Sequence, residues 1–171
     1  DLFLMIPSGQ KHGLFLEMKT EVGKLQQNQA EFLNLAESMG YGAEVAYGFE
    51  DGVEKIKTIG DAYMVVGGLP NHRSDHAIAV AQMSINMQKA ISQFQASTGK
   101  SFELRIGINT GSVVAGVIGL KKFSYDLWGD AVNLASRMES HGIPGKIQVS
   151  ESTYLLIKDN YQLEKRGTIT V

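Results

Sequence analysis

Two stretches of the chain concentrate groups that could do chemistry. Lys57-Thr58-Ile59-Gly60-Asp61-Ala62-Tyr63 sets a lysine and an aspartate into apolar sequence. Tyr125-Asp126-Leu127-Trp128-Gly129-Asp130-Ala131-Val132-Asn133-Leu134-Ala135-Ser136-Arg137 does the same with aspartates, an asparagine and an arginine. Gly60-Asp61 stands between two short apolar runs, the pattern of a hairpin tip, where a carboxylate is free of the strand ladder. From there Asp61 could reach a hard cation such as Mg2+, which takes oxygen ligands and shares them with substrate phosphates. On a helix Asn133 and Arg137 share one face, one turn apart, while Val132, Ala135 and Met138 turn to the core. An amide and a guanidinium so placed could hold a sugar and offset charge building on a phosphate, the needs of phosphoryl transfer. As residue types alone, they equally suit a plain turn and a solvated helix face.

The elements that must position these groups read as alternating α and β. Apolar runs bounded by turn residues predict strands over 2–6, 14–18, 43–47, 55–59, 62–66, 113–118, 146–149 and 161–165, with Leu104, Ile106 and Ile108 alternating as in a half-buried strand. Helical spacing predicts helices over 27–39, 75–96, 130–140 and 150–157, the third opened by an acidic cap at Asp130. In the longest, Val80, Met83, Met87, Ala90, Ile91 and Phe94 form one apolar face, read as core rather than as a partner groove.

At 171 residues the chain has room for one domain or two incomplete pieces. Its 16 Lys and Arg against 18 Asp and Glu give a net charge of -2, which provides no broad positive field for nucleic acid. The absence of cysteine excludes disulfides, thiolate zinc sites and a cysteine nucleophile, and fits a reducing compartment, so a cytoplasmic location is expected. No apolar run approaches the roughly 18 residues of a membrane span, so no membrane contact is expected. The chain opens at Asp1 rather than Met and stops within the alternation Thr168-Ile169-Thr170-Val171, so both ends read as cut.

From about Val53 to Val171 the sequence resembles the catalytic domain of class III adenylyl and guanylyl cyclases. The resemblance is carried by Ile56-Lys57-Thr58-Ile59-Gly60-Asp61-Ala62-Tyr63-Met64, by Arg105-Ile106-Gly107-Ile108-Asn109-Thr110-Gly111, and by Phe123-Ser124-Tyr125-Asp126-Leu127-Trp128-Gly129-Asp130 running into Asn133 and Arg137. It implies a ferredoxin-like core and a phosphorus-oxygen lyase that uses Mg2+ or Mn2+. Asp61 would be one of two metal aspartates, Asn133 would orient the ribose and Arg137 would stabilise the pentavalent phosphorus. Lys57 and Asp126 occupy the base-reading positions of adenylyl cyclases, which makes ATP the expected substrate; a donor facing adenine N1 and an acceptor facing its exocyclic amine match adenine and mismatch guanine. Because the family's active site forms between two catalytic domains, a homodimer is implied. The family's opening phenylalanine-alanine-aspartate-isoleucine strand, with the first metal aspartate, has no match here, and its lysine-bearing C-terminal hairpin would lie beyond Val171, so weak turnover is expected.

Residues 1–52 resemble something else, the VRR-type nucleases of the PD-(D/E)xK superfamily, through Asp1-Leu2-Phe3, Gly13-Leu14-Phe15-Leu16-Glu17-Met18-Lys19, Gln29 and Glu44-Val45-Ala46-Tyr47-Gly48-Phe49. The implied alternative site is a metal-dependent triad of Asp1, Glu17 and Lys19 with Gln29 as accessory. The overall expectation is an apparent hybrid of the α/β (α+β) class: an incomplete nuclease-like segment over 1–52 and an incomplete cyclase domain over 53–171. One continuous mixed sheet flanked by helices would join them, with an atypical N-terminal βαβ segment.

Overall fold

A computed structural model of the chain describes residues 2–4, 14–19, 27–38, 42–47, 53–59, 62–98, 103–118 and 124–169. Strand β1 (Leu2–Leu4) runs antiparallel to β2 (Leu14–Lys19), and β2 runs parallel to β3 (Gly42–Tyr47). Parallel neighbours cannot be joined by a tight hairpin, and helix α1 (Gln27–Ser38) supplies the crossover. Strands β4 (Val53–Ile59) and β5 (Ala62–Gly67) form an antiparallel hairpin with Ile59 opposite Ala62. The long helix α2 (His76–Thr98) leads to β6 (Ile106–Ile108) and to a second hairpin of β7 (Val114–Ile118) and β8 (Ser124–Trp128). Helix α3 (Asp130–Ser140), β9 (Ile147–Val149) and helix α4 (Glu151–Ile157) follow, and β9 pairs parallel with β6.

The mixed α+β class is as expected, but the continuous sheet is not. Among the described residues, hydrogen bonding groups the strands as β1-β2-β3, β4-β5, β6-β9 and β7-β8. No ladder runs from β3 into β4, and β1 lies at the edge of its own sheet. Three of these groups are united by α2, which packs against β3, β4, β5 and β6, while the β7–β8 hairpin is joined through the contacts of β8 with β4 and α3. Its residues Ala79, Met83, Met87, Ala90 and Ile91 are buried with Val53, and Tyr63, Val65, Leu104 and Ile106 close around them. Ala77 and Ala81 are buried with Ile108 and Ile157 in a second cluster. Apolar burial is non-directional, so one helix can hold several strand pairs without a shared ladder.

Three further expectations change. Residues 161–165 form no strand, because the Tyr161 backbone N–H is taken by Ile157 O at 3.1 Å in the turn that ends α4. The Tyr161 ring packs into the second cluster instead. Leu104 precedes β6, its carbonyl accepting from Gly145 N and from Gln88 Nε2, both at 2.9 Å. Asp130 is the first residue of α3 rather than its cap; Gly129 caps the helix with φ +137°, a conformation that favours glycine. The strand Ser124–Trp128, read only as a chemical motif in the sequence, is a full partner of β7.

Candidate active site

Lys57 owes its place to a β-bulge. The β4–β5 register pairs Lys55 with Val65 but Lys57 with Met64, leaving Ile56 as an extra residue. Tyr63 and Val65 pack toward α2, so Met64 and its partner Lys57 occupy the opposite face of the hairpin. Strict alternation from buried Val53 would have turned Lys57 into the core; the bulge re-aims it.

On that outer face Lys57 meets Asp126 of β8. Lys57 Nζ donates to Asp126 Oδ2 at 2.7 Å, and the Leu127 backbone N–H donates to Oδ1 at 2.8 Å. The lysine side chain is 36% exposed and the aspartate 14%. The Lys57 hydrogen bond, followed by that of the Leu127 N–H, holds the Asp126 carboxyl below its ordinary range against the opposing effect of desolvation. The pair is not saturated. An ammonium has three donors and each carboxylate oxygen two lone pairs, so a planar ligand can still find a donor beside an acceptor.

Helix α3 begins immediately after β8 and Gly129, which ties its register to the strand that carries Asp126. Asn133 and Arg137 lie one turn apart on it, both exposed, and neither side chain has a hydrogen-bonding partner among the described residues. No hydrogen bond or ion pair joins them to Lys57 or Asp126. The buried side of α3 is marked by Met138.

Asp61 lies outside the described residues, in the two-residue connection between the paired Ile59 and Ala62. A carboxylate is the kind of oxygen donor that Mg2+ or Mn2+ prefers. Among the described residues no group of three His, Asp or Glu side chains could hold a metal. Asp1 also lies outside the described residues. Glu17 and Lys19 stand at alternate positions of β2, opposite Val45 and Tyr47 of β3, and Gln29 is in the first turn of α1.

The sequence profile of the adenylate and guanylate cyclase catalytic domain matches residues 26–171. The chain belongs to that family. The match begins inside the segment 1–52 that the sequence alone set apart from the cyclase domain, and takes in α1 and β3. The chain is 48% identical over 122 residues to an adenylate cyclase of Mycobacterium bovis, covering 71% of this chain and 28% of the relative. It is 50% identical over 121 residues to a receptor-type guanylate cyclase of Caenorhabditis elegans, covering 68% of this chain and 10% of that one. The matched stretch is therefore a small part of those longer proteins. Among solved structures, the adenylyl cyclase CyaB of Pseudomonas aeruginosa superimposes with a TM-score of 0.66 and 31% identity, over 86% of this chain and 78% of that one. No helix among the described residues is long and apolar enough to cross a membrane.

Proposed function

We propose that the chain is an adenylyl cyclase catalytic domain that converts ATP to cyclic AMP and pyrophosphate. Relatives named for either purine resemble it, so the choice of base rests on one observation: the Lys57–Asp126 pair, held at 2.7 Å on the outer face of the hairpin. Lys57 donates to adenine N1 and Asp126 accepts from the exocyclic amine. Guanine would present an N–H to the lysine and a carbonyl to the carboxylate, leaving both unpaired.

Asn133 orients the ribose. Arg137 offsets the negative charge that builds as the 3′-oxygen bonds the α-phosphorus and the bond to pyrophosphate breaks. Asp61 would hold Mg2+ or Mn2+, which supplies positive charge to the triphosphate. The chain has no phenylalanine-alanine-aspartate-isoleucine stretch to supply a second metal aspartate, so slow turnover by these 171 residues alone is expected. The active form is a homodimer, with the metal aspartate from one protomer and Asn133 and Arg137 from the other. The apolar side chains that β7 and β8 expose support that assembly.

Titration with ATP and GTP tests the assignment, since the change of Lys57→Glu with Asp126→Cys should move preference toward guanine. A second reading, metal-dependent phosphodiester hydrolysis by the first segment, is favoured only by Glu17 and Lys19 sharing one face of β2. Supercoiled DNA incubated with Mg2+ or Mn2+ should stay intact. Cutting that disappears in Glu17→Ala would move this reading to first place.

A further inference from the structure

The stretch from Arg105 to Gly111 has no role in the chemistry above, yet its alternate residues all address one helix. Arg105 Nη2 pairs with Glu139 Oε1 of α3 at 3.1 Å. A Cβ added to Gly107 would lie 2.0 Å from Glu139 N, 2.5 Å from Met138 C and 2.7 Å from Ala135 O, so α3 rests backbone to backbone on β6. Asn109 Nδ2 donates to Ala131 O at 2.9 Å. A Cβ on Gly111 would come within 3.0 Å of Ala131 Cβ. The glycines set how closely α3 approaches, but bare van der Waals contact lets a helix roll. Two directional contacts resist that roll, the half-exposed Arg105–Glu139 pair near the C-terminal end of α3 and, near its N-terminal end, the bond from Asn109 to the helix backbone itself.

The amide itself is fixed. Its Oδ1 accepts from Ser150 Oγ at 2.6 Å and from Ser152 Oγ at 3.0 Å. Because the Ala131 carbonyl can only accept, Nδ2 must be the atom facing it, and the two hydroxyls hold that orientation. Ser150 also caps α4, accepting from Thr153 N at 3.4 Å. Thr153, fully buried, lies 3.0 Å from Thr110 through its hydroxyl. The clamp therefore grows from a fully buried residue, Thr153, one turn before the equally buried Ile157.

We propose that Asn109, locked by Ser150 and Ser152, is a positioning residue that sets the rotation of α3 and thereby places Asn133 and Arg137. At about 100° per residue Asn133 lies about 160° and Arg137 about 120° round the helix from Ala131, so both point away from the Asn109 contact and move with any roll of α3. A roll of about 20° on a helix of about 6 Å radius moves a side chain by about 2 Å. A misplacement of about 1 Å can cost roughly 100-fold in rate. The inference rests on the cyclase reading of those two residues.

The test is Asn109→Asp, which keeps the shape but removes the donor. The expected result is a kcat lowered roughly 10- to 100-fold per folded molecule, with nucleotide affinity within about threefold of the parent. Combined with Asn133→Ala, the loss should be smaller than the product of the two single losses. Independent effects that multiply, or an unchanged kcat, overturn the proposal. Hydrogen exchange separates it from the activity reading. Faster exchange confined to amides 131–137, with α2 unchanged, supports the proposal even where the parent chain makes no cyclic nucleotide; unchanged exchange in α3 overturns it.

Discussion

Strands β6 and β7 are one short loop apart and treat their faces in opposite ways. The Arg105–Gly111 stretch is small or polar at alternate positions, and each of these meets α3 within the same chain. The β7–β8 hairpin is apolar and turns outward. Val114 is 68% exposed, Val117 64% and Ile118 51%, with Tyr125 and Trp128 also exposed. The first surface is satisfied by the fold; the second is what a chain presents when another surface is to cover it. The difference sets a face closed by the fold in β6 beside one left open in β7–β8, the hairpin proposed for association, and the Lys57–Asp126 pair, proposed to read the base, bridges from β4 to this same hairpin.

Gly107→Val should have the largest effect. Its side chain would need the space of the α3 backbone, so a loss of about 3 kcal/mol or more is expected in chemical denaturation, together with loss of turnover. If stability is retained, α3 does not sit on β6 as described. Arg137→Ala should act the other way round. It should leave stability within about 0.5 kcal/mol, as for an exposed side chain, while lowering kcat by roughly 100-fold or more.

Val117→Lys should act on association alone. An exposed strand residue should change stability by no more than about 0.5 kcal/mol, yet a charge in a covered apolar face should disfavour association. Sedimentation should show a shift from dimer to monomer, and turnover should fall in parallel; an unchanged dimer would place the interface elsewhere.

The smallest effect concerns acid. The two Arg73 hydrogen bonds hold the Asp75 carboxyl at about 2, and the Lys57 bond lowers that of Asp126. A folded-state value below the ordinary 3.8 means that each pair contributes fully above that pH and is lost as pH falls through the lowered value. Carboxyl-carbon NMR should therefore find Asp75 almost fully ionised at pH 3.8 and Asp126 more than half ionised; half-titration of either group there would show that its pair does not persist in solution.

How much of this was legible in the sequence depended on whether the cause was local. Helical spacing found the buried face of α2, since Met83, Met87, Ala90 and Ile91 lie at one periodicity. The meeting of Lys57 with Asp126 came only through resemblance, and the bulge at Ile56 that makes it possible left no sign in residue types. The alternation of Arg105, Gly107, Asn109 and Gly111 was visible, but its meaning was not, because residues of α3 and of the α4 N-terminus supply the other half of the contacts. Residues 161–165 misled because apolar-polar alternation suits both a strand and an irregular segment anchored by one aromatic ring.

If Lys57 and Asp126 read adenine, paired titrations with ATP and GTP in the presence of Mn2+ must separate the two purines. Affinity for ATP should exceed that for GTP by roughly tenfold or more, about 1.4 kcal/mol, and the combined Lys57→Glu and Asp126→Cys change should reverse the order. Equal or tighter binding of GTP by the unmodified chain would contradict the account.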